Sequence, residues 1–254
     1  RKGLTISEKN GIDSLAQQNL LILGLAHIYQ GNTDSSVIYM KRSTRLALSI
    51  KDSSAITRCY GILSNIHNQY LNQPEKAFLY IDSAERYYRP DEIKSIVFGK
   101  IVKGSIFFNV SAFHLALEEF YAGLDLSKDD SVQITSLHNN IGLVYERTGD
   151  YQNARKHQFE AIRMSQNNVR SLGIAHHNLA QLYHIENNME KMIVHEKLAI
   201  KYLQQFGVNY HLLQAQLNTI QTYHDLNMKT EAFRLFETIQ RDRLSLQDQL
   251  LYST

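Results

Sequence analysis

Eleven histidines and one cysteine are the side chains of this 254-residue chain best suited to bind a metal or to act as nucleophile or acid-base catalyst. His176 and His177 are adjacent and would project about 100° apart on a helix. His177 and His184 would stand two turns apart, too far to share one ion without other ligands. His195-Glu196 would open a zincin-type motif, but Ala199 stands where its second histidine would be. Cys59 falls inside a helical stretch with no histidine placed to activate it, so it reads as a buried thiol. The stretch Gly99 to Gly104, GKIVKG, does not have the spacing of a phosphate-binding loop. These spacings predict no metal site, no cofactor and no catalytic centre. The histidines are expected to be structural or to lie on the surface.

The elements that position these residues follow from composition and repetition. Lys and Arg number 27 against 25 Asp and Glu, with no basic block, which argues against direct binding of nucleic acid by this segment. Two prolines and twelve glycines, among many Leu, Ala, Gln and Asn, favour helix over sheet. No apolar run is long enough for a membrane span. A small residue followed three later by a large one, usually a ring, recurs at Ala26, Ser64, Gly104, Gly142, Ala180 and, less well, Ile220, at intervals of 38, 40, 38, 38 and 40 residues. The partners three residues on are Tyr29, His67, Phe107, Tyr145, Tyr183 and Tyr223. Further small or apolar residues follow about twelve and nineteen on, as at Ala154 and Ala161. Two closely packed helices need a small side chain where their backbones approach and a ring one turn later to fill the groove beside it. Turn residues such as Gly149-Asp150 and Asn187-Asn188 separate the two halves of each unit. Each unit is therefore predicted to be a helical hairpin, and six in succession to form a stacked array.

The stretch Ile141 to Ile162, IGLVYERTGDYQNARKHQFEAI, and its counterparts resemble the tetratricopeptide repeat. That resemblance implies an all-α, right-handed superhelical solenoid forming a single domain, with repeats near 13–51, 53–88, 91–127, 130–167, 169–206 and 209–240. Residues 1–10 would end a preceding repeat, and 241–254 would form a terminal or exit helix. Lys103, Thr219 and Ile220 depart from the usual pattern, and the long period implies longer helices or looser links. The array is similar to those of bacterial signalling proteins, especially of Bacteroidetes, where the last helix commonly leads to a membrane span and then a histidine kinase or helix-turn-helix output domain. The chain then reads as a piece of something longer, with a periplasmic location ahead of a cytoplasmic one. Leu244 and Leu251, seven apart, would suit a coiled-coil seam and a homodimer through the C-terminal helix; the alternative is a helix that simply caps the last repeat.

The stripe lying three before, one after and four after each small residue is implied to line the concave groove. Among its polar members the binding candidates are Asn65, Asn68, Ser105, Asn139, His177, Gln181, His184, Gln221 and His224. Amides both donate and accept hydrogen bonds, so such a stripe suits the backbone of an extended peptide. It carries hardly any charge, and no cations stand where a clamp for a C-terminal carboxylate would need them. The expectation is a non-catalytic module that binds a protein or peptide, as the sensory or scaffold part of a signalling or transcription-regulating protein. The alternative is a structural or oligomerisation array.

Overall fold

The computed structural model describes residues 2–9, 12–128, 130–165, 168–206 and 210–251, which contain thirteen α-helices and no strand. In order they are α1 Lys2–Lys9, α2 Asp13–Tyr29, α3 Thr33–Ser49, α4 Ser53–Gln69, α5 Pro74–Glu85, α6 Ile93–Asn109 and α7 Phe113–Leu126. There follow α8 Ser131–Arg147, α9 Tyr151–Met164, α10 Val169–Ile185, α11 Met189–Leu203, α12 Tyr210–Asp225 and α13 Lys229–Leu251. The chain divides into two compact units, Arg1–Gln133 and Ile134–Thr254.

Within each unit, successive helices pack against one another, and the first helices of neighbouring hairpins also touch: α4 with α6 in the first unit, α10 with α12 in the second. The sequence reflects these two environments. Second helices bury one narrow stripe, as with Ala154, His157, Gln158 and Ala161 of α9, the spacing of a single apolar face. First helices bury residues nearly all round, because neighbours cover them on both sides; in α4 these include Ile56, Thr57, Cys59, Gly61, Leu63, Ser64 and Ile66. The first helices of the first five hairpins each run 17 residues, which accounts for the long repeat period.

Every hairpin turn has one residue in the left-handed region: Gly31, Asn72, Ser111, Gly149, Asn187 and Asn227. The following residue donates its N–H back to the carbonyl of the groove-filling position, as with Asp150 to Tyr145 (2.9 Å) and Asn188 to Tyr183 (2.8 Å). This closure satisfies carbonyls at the helix end and needs a residue that tolerates positive φ, here mostly Gly or Asn.

The same closure corrects the register of the first hairpin. Asn32 donates to His27, not Tyr29. The small residue five before the helix end is Gly24, which is buried, whereas Ala26 is exposed. A Cβ on Gly24 would meet Met40 at 2.6 Å, and Ser36 Oγ donates to the Gly24 carbonyl at 2.7 Å. The stripe of this hairpin is therefore Leu21, Leu25 and Ile28, which join the apolar core instead of presenting polar groups.

The close approach expected at Gly142 is present: a Cβ there would lie 2.4 Å from Gln158 Nε2 and 3.3 Å from the Ala154 carbonyl oxygen. Gly142→Leu should therefore destabilise the second unit by about 1–3 kcal/mol despite leucine's better helix propensity. Urea denaturation checks this, and an unchanged midpoint would show that the gap accommodates a side chain.

Candidate peptide-binding groove

In the first unit, Asn68 lies at the C-terminal end of α4, nearly buried, and its Oδ1 accepts from Asn109 Nδ2 at 3.0 Å. Asn65 is half-buried one turn earlier. Ser105 is half-buried on α6 and its hydroxyl donates to the Ile101 carbonyl of its own helix at 2.8 Å.

In the second unit, the stripe of α8 comprises Asn139, Leu143 and Glu146, and that of α10 comprises His177, Gln181 and His184. Asn139 is buried, and its main-chain carbonyl accepts from Gln158 Nε2 at 3.2 Å. Among the described residues, Asn139 Oδ1 and Gln158 Oε1 are buried acceptors without a donor, and Asn178 Nδ2 and Gln216 Nε2 are buried donors without an acceptor. His184, Gln221 and His224 are exposed. Gln221 Nε2 donates to Asp225 Oδ1 at 2.8 Å, and His224 Nδ1 lies 3.5 Å from the same oxygen.

One residue, weighed in the sequence only within an incomplete zincin-type motif, changes the electrostatics of this stripe. Glu196 of α11 is fully buried, with His177 Nδ1 at 3.0 and 3.1 Å from its two oxygens. Gln181 Nε2 and Asn218 Nδ2 each donate to its Oε1 at 3.4 Å. At the same place in the earlier second helices stand Met40, Ile81, Phe120 and Gln158, all buried. A core position that is apolar in the three hairpins of the first unit is thus an amide and then a carboxylate in the second. His211 places its ring edge-on to His177, 6.5 Å between centroids. Burial pushes His211 down to about 4, with His177 and Arg170 adding to the shift. Burial raises the pKa of half-buried Glu146, against the pull of Arg147 and His177.

The histidines also form a second pattern. His138 and His157 approach Nδ1 to Nδ1 at 2.9 Å, as do His176 and His195. One nitrogen of each pair must donate and the other accept, so a neutral pair holds a single proton between them. The equivalent places hold the rings of Tyr60 and Tyr80 in the second hairpin and the ion pair Lys100–Glu119, at 2.8 Å, in the third. Tyr145 stacks on His157, Tyr183 on His195 and Tyr202 on His176. Burial, then the partner His138, pushes His157 down to about 4; burial, then His195, does the same for His176. Burial also lowers His138 and His195. The signal was available in the sequence: His138, His157, His176 and His195 fall at intervals of 19, half the local period.

Cys59 is buried between Ser43 Oγ (3.4 Å) and Gln17 Nε2 (3.6 Å), and burial pushes its thiol up. Among the described residues no three His, Cys, Asp or Glu side chains converge as a metal set would, and no helix is long and apolar enough to cross a membrane. Leu244 and Leu251 lie outside the described side chains.

Residues 135–168 match the family Tetratricopeptide repeat. No curated protein matches the chain by sequence. Solved structures share the fold. One is the Signal Transduction ATPase with Numerous Domains (STAND) protein with a tetratricopeptide repeat sensor from Pyrococcus horikoshii, 15% identical, TM-score 0.68, matched over 94% of this chain and 37% of that one. A thermophilic tetratricopeptide protein of Thermus thermophilus is 16% identical, TM-score 0.64, over 82% of this chain and 98% of that one. A Rap protein complexed with competence and sporulation factor is 14% identical, TM-score 0.67, over 92% and 77%. The chain is therefore a helical-repeat protein of tetratricopeptide type. It spans well under half the length of the STAND protein.

Proposed function

We propose that this chain is a non-catalytic module that binds an extended peptide or protein segment along the stripe of its first helices. In this reading it is the sensory or scaffold part of a bacterial signalling or transcription-regulating protein. The observation that carries the binding reading is Asn139 Oδ1, a buried acceptor on the stripe of α8 that lacks a donor among the described residues. Leaving such a group unpaired is costly, and an extended main chain supplies both donor and acceptor along its length. The sensor named in the STAND protein and the factor bound to the Rap protein agree with this use of the fold.

The test is a peptide selected from a random display library on the whole chain. Asn139→Ala combined with Gln181→Ala removes amides from neighbouring first helices and should weaken its binding by roughly five- to a hundredfold, at about 0.5–1.5 kcal/mol for each lost bond. Unchanged affinity, with helical circular dichroism intact, would place the binding surface elsewhere.

A further inference from the structure

The stripe of the second unit sets one carboxyl group, Glu146, beside acceptor-bearing amides. Glu146 stands two turns along α8 from Asn139, half-buried and within electrostatic reach of His177. Behind His177 lies the fully buried Glu196, whose partners are an imidazole and two amides; among the described residues no lysine or arginine pairs with it. Arg147, on the residue next to Glu146, is exposed, and Arg170 is exposed near the start of α10. Glu196 thus holds the imidazole from behind, and Asn139 Oδ1, on a residue only 7% exposed, is an acceptor still waiting for a donor. A ligand complementary to this stripe brings an N–H group to Asn139 Oδ1 and positive charge to Glu146; a carboxylate would meet one of its own sign.

We propose that Asn139 and Glu146 form a subsite for a cationic residue of the bound peptide, with Glu146 taking a lysine or arginine side chain and Asn139 Oδ1 taking a main-chain N–H. Seven helical residues span about 10 Å, at roughly 1.5 Å each. That distance equals about three residues of extended chain, at roughly 3.3 Å each. The cation therefore belongs to a residue within about three positions of the N–H that Asn139 accepts, since its own side chain covers part of that distance. His177, fixed by Glu196, forms the wall beside the cation and carries the field of the buried carboxylate to it. The inference rests on the groove reading above and adds the chemical class of the ligand.

Random twelve-residue peptides displayed on phage and selected on the whole chain should be enriched in lysine or arginine. For a synthetic selected peptide, Glu146→Gln should weaken binding by about ten- to a hundredfold, as loss of a charge-assisted hydrogen bond does. Replacing the peptide's basic residue with alanine should cost as much, and the two changes together little more than either alone, because they remove one interaction. Selected peptides without basic residues, or a Glu146→Gln variant that binds as tightly as the parent, would overturn the subsite. The groove reading would survive that result if Asn139→Ala with Gln181→Ala still weakened binding. If neither variant mattered, both readings would fall together.

Discussion

His177→Ala should destabilise the second unit by about 3–5 kcal/mol, while Glu196→Met should leave its stability unchanged or raise it. Glu196 is fully buried and its shortest hydrogen bonds are those to His177; the remaining two, from Gln181 and Asn218, are both 3.4 Å. Removing the imidazole leaves a buried carboxyl group held by two long amide bonds, and an under-paired group of that kind costs far more than a missing contact. Methionine fills the equivalent place in the first hairpin, where Met40 is fully buried, so the site has the shape for an unbranched apolar chain. In the Glu196→Met background, His177→Ala should then cost less than about 1 kcal/mol, since the acceptor that needed it is gone. Urea denaturation of the three variants reads this directly, and a Glu196→Met protein several kcal/mol less stable than the parent would show that the carboxylate contributes net stability.

Lowering the pH from 6.5 to 5 should weaken the second unit steeply. His157, His176 and His211 are held near 4 in the fold and His138 and His195 are also lowered, whereas an unfolded histidine titrates near 6.5. Below about 6.5 the unfolded chain therefore binds protons that the folded unit refuses. Their stabilising contribution is complete above that pH, declines as the pH falls, and is gone below about 4. Each such proton adds a slope of about 1.4 kcal/mol per pH unit. In the two histidine pairs the physical reason is plain, because a second proton would set two N–H groups face to face at 2.9 Å. Denaturation midpoints across this range, where most carboxylates do not yet titrate, check the slope. Stability that stays level from pH 6.5 to 5 would mean that the pairs accept the second proton without strain.

Much of the fold was legible because the demands of hairpin packing repeat. A small residue, a ring three later and turn residues between helices are local requirements that sequence spacing records well. The first hairpin was misplaced by two residues because Ala26 and Tyr29 match those requirements in residue type better than Gly24 and His27. The structure decides otherwise through the backbone, since Gly31 takes positive φ and Asn32 closes on the His27 carbonyl. The positions of the proposed polar stripe are a matter of offsets on one helix, and in the first hairpin they shift with the register. The place of Glu196 was not legible, because it reaches the stripe from a second helix, at a position that earlier hairpins fill with Met40, Ile81 and Phe120. The histidine pairs were missed because they were sought at one-turn spacing on a single helix, whereas they form across the two helices of a hairpin. Only the half-period of 19 residues betrays them.

The most direct test of peptide binding on this stripe is paramagnetic broadening of the protein's amide signals by a spin-labelled copy of a selected peptide. Binding along the first helices predicts broadening centred on Leu143, Gln181 and Gln221 of α8, α10 and α12. Broadening centred instead on Phe159 and Val194, exposed on the second helices α9 and α11, would contradict it.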